Sequence, residues 1–263
     1  MGGRILIGTS GYSYDDWVGP VYPPGTQKAD FLRLYAAEFP AVELNFSYYQ
    51  QPSARTLERM IRSTPDSFRF ALKAHRSMTH EIGDSWDADI AAFREGVRPL
   101  SESGRLAAVL LQFPYSFAYT PESRTRLAGL CDKLHGLSLA VEFRRSEWQR
   151  EQVFEGLRAR GVAQVSVDEP DLPGLLRPTA ETTGTLGYVR FHGRNKANWW
   201  TGDKASRYDY LYSPEELAEW VKRIREIVAK VPVLLLFFNN HWRGSAAKNA
   251  REMRMLLQAE GLM

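Results

Sequence analysis

Eight short apolar runs, separated by longer polar intervals, constrain the fold of this chain more than any other feature of its sequence. Most runs are continuously apolar rather than alternating, as expected for parallel strands that are buried on both faces. Their starts lie roughly 25 to 45 residues apart, which leaves room for a helical crossover between successive strands. The predicted strands are residues 4–10, 41–45, 68–73, 106–113, 137–143, 162–168, 187–193 and 231–238.

Amphipathic stretches fill most of the intervals and predict helices between the strands. Ser213 and Glu216 have the spacing of a capping box, which predicts a helix that starts after Ser213. Thr120 is expected to cap a helix that begins at Pro121, and Ser245 is expected to cap the last helix. The predicted helices are residues 28–39, 53–63, 87–100, a segment from 121, 213–230 and about 246–260.

Eight strand–helix units in 263 residues match an α/β fold of the TIM (β/α)8 barrel type in number and size. A doubly wound open sheet is the alternative, but no Gly-rich dinucleotide fingerprint follows the first strand. The sixth connection, residues 169–186, contains three prolines and predicts a loop with at most a short helix. No linker-like segment interrupts the pattern, so we expect residues 1–263 to form a single TIM-barrel domain.

The composition excludes several classes of protein. Hydrophobic residues make up 44%, charged residues 25% and the net charge is +3, values typical of a folded domain and not of a disordered chain. The single cysteine, Cys131, excludes an internal disulfide framework and a multi-cysteine metal site. A membrane span needs about 20 apolar residues, and residues 231–238 are the longest run. We therefore expect a cytoplasmic protein without a membrane partner.

Three carboxylates lie within or just after apolar strands, at the end of the barrel where TIM-barrel ligands bind. An unpaired carboxylate at Glu43, Glu142 or Asp168 would be costly in such a place. One interpretation is a set of structural ion pairs with basic residues such as Arg190. The other is a general acid or base, or a ligand set for a divalent metal cofactor, with Lys73 neutralising charge.

The seventh and eighth strands indicate a site for an anion. Strand alternation places Arg190 and His192 on one face, where they would bind negative charge unless Arg190 forms a structural ion pair. The helix after Gly244 would direct free backbone amides toward the same end of the barrel, unless its start serves only as a cap. The candidate substrate-binding polar residues are Asn45, Gln112, Arg190, Arg194, Asn239, Asn240 and His241.

Aromatic residues are frequent in the same connections. Tyr12, Trp17 and Trp199 are candidates to stack on a sugar or a base, and the alternative for each is loop packing. Residues 190–209 contain five basic and two acidic residues, which adds nucleic acid to the candidate partners. The sequence contains no Walker A, HExxH or GxSxG motif, so the chemistries that depend on them are set aside.

Several motifs occur in an order that resembles the domain of unknown function 72 family, also called YecE-like. The resemblance spans nearly the whole chain and implies a TIM barrel, but the family has no established catalytic residues to carry over. His75 departs from the proline that is common in the family at that point of the third motif. The motifs are GTSGYSYDDW (8–17), VELNFSYYQQP (42–52), FRFALKAHRSMTHE (68–81), LLQFPYSF (110–117), AVEFRRSEW (140–148), YVRFHGRN (188–195) and FFNNHWRGSAAKNA (237–250).

These observations favour an enzyme that acts on a phosphate-bearing or otherwise anionic small substrate, with metal-assisted phosphoester hydrolysis as one form of that chemistry. The alternative is a nucleic-acid-binding protein with little or no catalysis. The local basic excess favours this alternative, whereas a net charge of only +3 argues against it. The candidate catalytic residues are Glu43, Lys73, Glu142, Asp168 and His192.

Overall fold

Eight parallel strands close into a barrel in this computed structural model, with each strand paired to its neighbours in chain order and the first paired to the eighth. The structure describes residues 2–202 and 204–263, and it describes only the backbone of residues 204 and 205. The TIM-barrel prediction is confirmed, and each predicted strand occurs with its ends within two residues of the prediction. The strands are β1 (Arg4–Ser10), β2 (Ala41–Leu44), β3 (Arg69–Lys73), β4 (Leu106–Gln112), β5 (Leu139–Glu142), β6 (Ala163–Asp168), β7 (Leu186–Phe191) and β8 (Val233–Phe238).

Helices occupy the connections and cover the outside of the barrel. Thr120 caps its helix by accepting a hydrogen bond from the backbone N–H of Ser123, and Ser213 with Glu216 forms the predicted capping box. As the prolines there predict, the described part of the chain contains no helix between β6 and β7. None of its helices combines the length and the apolar character that a membrane span requires. The helices are α1 (Phe31–Glu38), α2 (Phe46–Tyr49), α3 (Ala54–Arg62), α4 (Arg76–Thr79), α5 (Trp86–Glu102), α6 (Pro121–Lys133), α7 (Glu151–Arg158), α8 (Lys204–Arg207), α9 (Pro214–Ala218), α10 (Val221–Val228) and α11 (Ser245–Ala259).

The segment predicted as a single helix, residues 213–230, forms two helices, α9 and α10, separated by Glu219 and Trp220, whose backbones remain in the right-handed helical region. The backbone N–H of Trp220 donates to the carbonyl of Leu217, three residues back, which tightens the chain between the two helices. The Trp220 indole is fully buried and donates to the carboxylate of Asp168 over 2.7 Å. This bond links the segment between α9 and α10 to strand β6.

The start of α11 also differs from the prediction. Gly244, with φ of 82°, is the N-cap, and Ser245 is already the first helical residue. Arg243 before it has φ of 48°, an uncommon value for a residue with a side chain. Its backbone N–H donates to the carboxylate of Asp16 over 2.7 Å, and this bond ties the first and eighth connections together.

Strand register brings polar residues to one level at the carboxyl end of the barrel. Ser10 lies beside Glu43 in the β1–β2 pair, and Gln112 lies beside Glu142 in the β4–β5 pair. Tyr188 of β7 donates to the Glu43 carboxylate over 2.6 Å. Because β2 and β7 are not neighbours, this bond crosses the barrel interior. Alternate residues of β7, including the predicted site residues, therefore point inward.

Two glycines let the chain turn sharply as it leaves the barrel. Gly11 after β1 and Gly193 after β7 both have φ of 89°, in the left-handed region that favours glycine. A Cβ at Gly193 would lie 2.7 Å from the Cβ of Tyr210, and one at Gly11 would lie 2.3 Å from the hydroxyl of Tyr14. The absence of a side chain at these positions allows the first and seventh connections to pack close to the barrel mouth.

Candidate functional site

A cavity of about 1220 Å³ lies at the carboxyl ends of the strands, the position expected for a TIM-barrel site. Strand ends and connections both contribute to its wall. The strand-end residues that line it are Asn45, Lys73, Gln112, Arg144, Arg190 and Asn239. The connections add Tyr12, Tyr48, His80, Trp199, Trp200, Arg207, Tyr208 and His241, among others.

A buried ion-pair network lies beneath this wall. Arg190 reaches across the barrel between two carboxylates, with one guanidinium nitrogen 2.6 Å from Glu142 and the other 2.6 Å from Glu43. Arg144 binds the second oxygen of Glu142 over 2.8 Å and the carboxylate of Glu169 over 3.2 Å. Glu43 and Glu142 have no solvent exposure and do not line the cavity. Both carboxylates therefore form structural ion pairs, which is one of the two interpretations that the sequence left open.

The side chains of this network stay charged because the attraction between opposite charges outweighs the free-energy cost of burying them. Burial opposes ionisation of Glu142, but Arg144, Arg190 and His192 more than compensate and hold its pKa well below the usual range. Burial likewise opposes the charge on Arg190, and the two carboxylates raise its pKa above the usual value. A carboxylate this strongly held by cations is a weak general base at neutral pH. The structure therefore does not favour the catalytic role predicted for Glu142.

His192 is buried beneath the cavity as a neutral bridge. Its Nε2 lies 3.2 Å from Glu142, and its Nδ1 lies 3.1 Å from the side-chain amide nitrogen of Asn239. Because a carboxylate only accepts, Nε2 carries the proton and Nδ1 accepts from Asn239. Burial, and next the charge of Arg144, lower the pKa of His192 to about 3. Both ring nitrogens are thus engaged within the protein, and His192 does not line the cavity; its catalytic role stays a prediction.

Lys73 is the predicted catalytic residue whose side chain faces the cavity. Its amine donates to the side-chain oxygen of Gln112 over 2.6 Å and lies 4.1 Å from the centre of the Tyr48 ring. Burial, followed by repulsion from Arg190, lowers the pKa of Lys73 to about 7. Burial and the nearby Lys73 lower the pKa of His80 to about 4, so that imidazole is neutral. The cavity thus holds an amine that is half protonated near neutral pH.

Asp168 and Arg194 do not line the cavity, so the structure separates them from the predicted site residues that do. The Asp168 carboxylate accepts hydrogen bonds from Tyr212 over 2.7 Å and from Trp220 over 2.7 Å, both from the outer layer. Arg194 forms a paired contact with the same carboxylate, at 2.9 and 2.7 Å. Asp168 points away from the barrel interior, and its bonds connect strand β6 to the seventh connection and to the start of α10.

Asn240 and Trp17 are also structural. The Asn240 amide donates to Asn249 and to the carbonyl of Tyr210, at 2.9 Å each. Trp17 has no solvent exposure and donates to the carbonyl of His241 over 2.8 Å. Of the predicted substrate-binding residues, those that line the cavity are Tyr12, Asn45, Gln112, Arg190, Trp199, Asn239 and His241. Arg243, Gly244 and Ser245 do not line it, so the predicted use of the last helix's start for anion binding lacks support.

Sequence reasoning missed several cavity residues. Arg144 follows Glu142 by two positions, so strand alternation was a signal that it shares the same face. The others lie in connections, where no periodicity indicates which way a side chain points. They are His80, Arg207 and Tyr208.

Several buried polar atoms on the cavity wall have no hydrogen-bond partner within the described structure. They are Oδ1 of Asn45, Nε of Arg190, Nε of Arg207 and Nδ1 of His241. Buried polar groups are almost always paired in folded proteins, so unpaired ones on a concave surface indicate places that a ligand or water satisfies.

The predicted divalent-metal set does not fit the residues in place. Across residues 2–202 and 204–263, no group of three or more His, Cys, Asp or Glu residues is arranged to hold a metal ion. The oxygens of Glu43 and Glu142 are engaged by arginines and Tyr188, and Asp168 lies outside the cavity. The described residues therefore offer no ligand set for a metal ion at this site.

Comparison with known proteins gives a consistent assignment over nearly the whole chain. The family model "Protein of unknown function DUF72" matches residues 6–262. The UPF0759 protein YunF of Bacillus subtilis (strain 168) is 35% identical over 97% of this chain and 95% of its own. The UPF0759 protein YecE of Escherichia coli (strain K12) is 29% identical over 62% of this chain and 59% of its own.

Solved structures agree with this assignment. A DUF72 family protein from Thermotoga maritima MSB8 is 41% identical with a TM-score of 0.90, covering 97% of this chain and 99% of its own. A DUF72 family protein from Enterococcus faecalis V583 is 28% identical with a TM-score of 0.87, covering 97% and 96%. Sequence and structure together show that this chain belongs to the DUF72 family of proteins of unknown function.

Proposed function

We propose that this protein is an enzyme that binds a small anionic substrate in the cavity at the mouth of the barrel. One observation carries the proposal: the described cavity wall presents basic side chains and no aspartate or glutamate. Cations that line a concave, low-dielectric surface attract and retain anions. The basic residues of the wall are Lys28, Arg59, Lys73, Arg144, Arg190 and Arg207.

The inner cations are held in place before a ligand arrives. Arg144 and Arg190 are each fixed by two carboxylates, so little side-chain freedom is lost when they bind a ligand. The Nε–H of Arg190 is buried without a partner in the described structure and is a ready donor. Guanidinium groups match the geometry of carboxylate and phosphate oxygens. Both classes of anion, phosphate-bearing substrates included, fit this wall.

The shape of the site and its proton-transfer group favour a small-molecule enzyme. Aromatic side chains such as Tyr48, Trp199 and Tyr208 combine with a few convergent polar groups, the usual composition of a small-molecule site. Lys73, with a pKa of about 7, can donate or accept a proton near neutral pH. Hydrolysis assisted by a metal is not part of the proposal, because the residues in place do not form a ligand set.

Titration calorimetry with inorganic phosphate and with citrate tests the proposal directly. We expect binding at one site in the wild type and at least tenfold weaker binding in Lys73→Gln, since one cation of the inner wall is lost. Lys222→Gln, at an exposed position on α10, is the matched control and should bind as the wild type does. Absence of binding by the wild type to either anion at low salt would overturn the proposal.

A further inference from the structure

Lys73 differs from the other inner cations in its partners. Arg144 and Arg190 are paired with carboxylates, whereas the described partners of the Lys73 amine are an amide oxygen and an aromatic ring. In the part of the chain that the structure describes, no carboxylate oxygen lies within 4 Å of this amine. Neutral partners stabilise the ammonium over the free amine much less than a carboxylate would.

The amide oxygen that faces Lys73 is fixed by a second bond. The Gln112 side-chain nitrogen donates to the backbone carbonyl of Phe113, which leaves its oxygen toward the amine. Gln112 thus positions the amine at the cavity wall without supplying a negative charge. The neighbouring charges are cations, Arg190 and Arg144, which disfavour protonation of Lys73. A desolvated lysine beside other cations is a recognised form of activated nucleophile.

We infer that Lys73 binds the substrate covalently, as a Schiff base with an aldehyde or ketone that also carries a carboxylate or phosphate. The inference deepens the proposed function and rests on it, because Arg144 and Arg190 must hold the anionic group while the amine reacts. The uncharged amine is the reactive form. At pH 7 it amounts to about half of Lys73, against roughly one part in three thousand for an ordinary lysine.

The step balances without a redox partner. The amine lone pair forms a bond to the carbonyl carbon, and the carbonyl π electrons become a lone pair on oxygen. Transfer of a proton from nitrogen to that oxygen gives a carbinolamine. A further proton allows the oxygen to leave as water, and the nitrogen lone pair completes the iminium. The link therefore consumes one proton and releases one water, and addition of water reverses it.

A candidate proton-transfer group, His80, lies on the same wall. His80 lines the cavity, and its ring packs edge-on against Tyr48, the ring beneath Lys73, with centres 4.9 Å apart. Its Nδ1 lies 2.8 Å from the hydroxyl of Thr79, which fixes the ring. A neutral imidazole can accept a proton at one nitrogen and donate one at the other. Such a group suits the proton transfers on either side of the carbinolamine.

Reductive trapping tests the inference on the intact wild-type protein. The probes are glyoxylate, an aldehyde with a carboxylate, and acetaldehyde, its uncharged counterpart, each with sodium cyanoborohydride at pH 7. Peptide mass spectrometry then measures the modification of each lysine over time. We expect glyoxylate to modify Lys73 at least about tenfold faster than the exposed Lys222, and acetaldehyde to show much less preference. Equal rates at the two lysines would overturn the inference.

Variants separate this inference from the proposed function. Lys73→Arg removes the primary amine and should lose the adduct, while phosphate binding is measured separately on the wild type. Gln112→Glu places a carboxylate beside the amine and should move the midpoint of Lys73 labelling to higher pH; an unchanged midpoint counts against the inference.

Phosphate binding without selective labelling of Lys73 would overturn the Schiff base alone. No phosphate binding, with acetaldehyde labelling Lys73 as fast as glyoxylate, would overturn the proposed function.

Discussion

Glu142 shows how the role of a residue depends on the atoms around it. Its two oxygens contact Arg144, Arg190 and His192, so this one side chain connects the ends of strands β5 and β7 across the barrel. A carboxylate so engaged stabilises the fold and places the arginines, and it is not free to take a proton from a ligand. The main effect of removing this carboxylate should therefore be a lower free energy of unfolding.

Replacing Glu142 with glutamine should lower the free energy of unfolding by about 3 kcal/mol, because Arg144 and Arg190 stay buried with less compensating charge. Urea denaturation followed by circular dichroism measures the change. The control is Glu95→Gln, which removes an exposed carboxylate from an ion pair with Arg98 on α5 and should have little effect. A loss in Glu142→Gln no larger than that of the control would contradict the structural role.

The stability difference between the wild type and Glu142→Gln should depend on pH. The folded pKa of Glu142 is depressed, so its contribution is complete above the unfolded value of about 4.3 and is lost as pH falls through the folded value. We expect the full difference at pH 7 and a progressively smaller one below about pH 4. Urea midpoints of both proteins across this range are the measurement. A difference that grows in acid would show that the sign is wrong.

At the residue scale the sequence predicted inward side chains better than outward ones. Arg190 could be placed because strand alternation and the apolar neighbours Val189 and Phe191 leave one face for it. Asp168 is the last residue of its strand and was also predicted to face the site. Its hydrogen-bond partners, Tyr212 and Trp220, follow 44 and 52 residues later in the sequence. Only the folded chain shows that these outer-layer groups satisfy the carboxylate.

At the scale of elements, the connection between β7 and α9 forms much of the cavity roof. It contributes Trp199, Trp200, Arg207 and Tyr208 to the wall, and it leaves the barrel at Gly193. The Gly193 N–H is bound by the hydroxyl oxygen of Tyr212 over 2.8 Å. This turn couples the last inward strand residues to the side chains that close the cavity.

Gly193→Ala should therefore affect both stability and binding. The left-handed backbone costs about 1 kcal/mol for alanine, and the new Cβ would meet Tyr210 at 2.7 Å, so we expect a total loss of about 2 kcal/mol or more. Phosphate affinity should fall as well, because the connection is displaced. Thermal melts and calorimetry on the same protein provide both readouts.

The matched control for this turn is Gly161→Ala. Gly161 also has a left-handed φ, 64°, but a Cβ there would meet nothing within 4 Å. It should cost only about 1 kcal/mol, from the backbone conformation, and leave phosphate binding unchanged. Equal losses at the two glycines would show that Tyr210 does not restrict the turn.

Strands were predictable from the sequence because a buried parallel strand is apolar throughout, and the same pattern recurs eight times. Helix ends were predictable where a local cap determines them, as at Thr120 and Ser213. The break before α10 was not, because the amphipathic pattern continues through it. Trp220, at this interruption, donates to Asp168, a contact between distant elements that local periodicity does not contain.

At the scale of the whole molecule, the distribution of charge matters more than its sum. The net charge is only +3, and many surface basic residues form ion pairs with neighbouring acids, as Arg98 and Arg158 do. The described cavity wall contains basic side chains and no acidic ones, and the carboxylates that pair with Arg144 and Arg190 lie beneath it. The proposed function thus assigns anion binding to one concave site and not to an extended groove.

This distribution separates a small anion from a nucleic acid as the ligand. Each phosphate contact with a single strand contributes about −0.7 to the slope of log binding constant against log salt concentration. The inner cations Lys73, Arg144 and Arg190 would give a slope no steeper than about −2. We expect labelled single-stranded DNA and RNA to bind weakly in anisotropy titrations, with a shallow slope and full displacement by millimolar phosphate. Tight binding with a slope of about −4 or steeper would require contacts far beyond the cavity, and the nucleic-acid alternative would then replace the small-substrate enzyme.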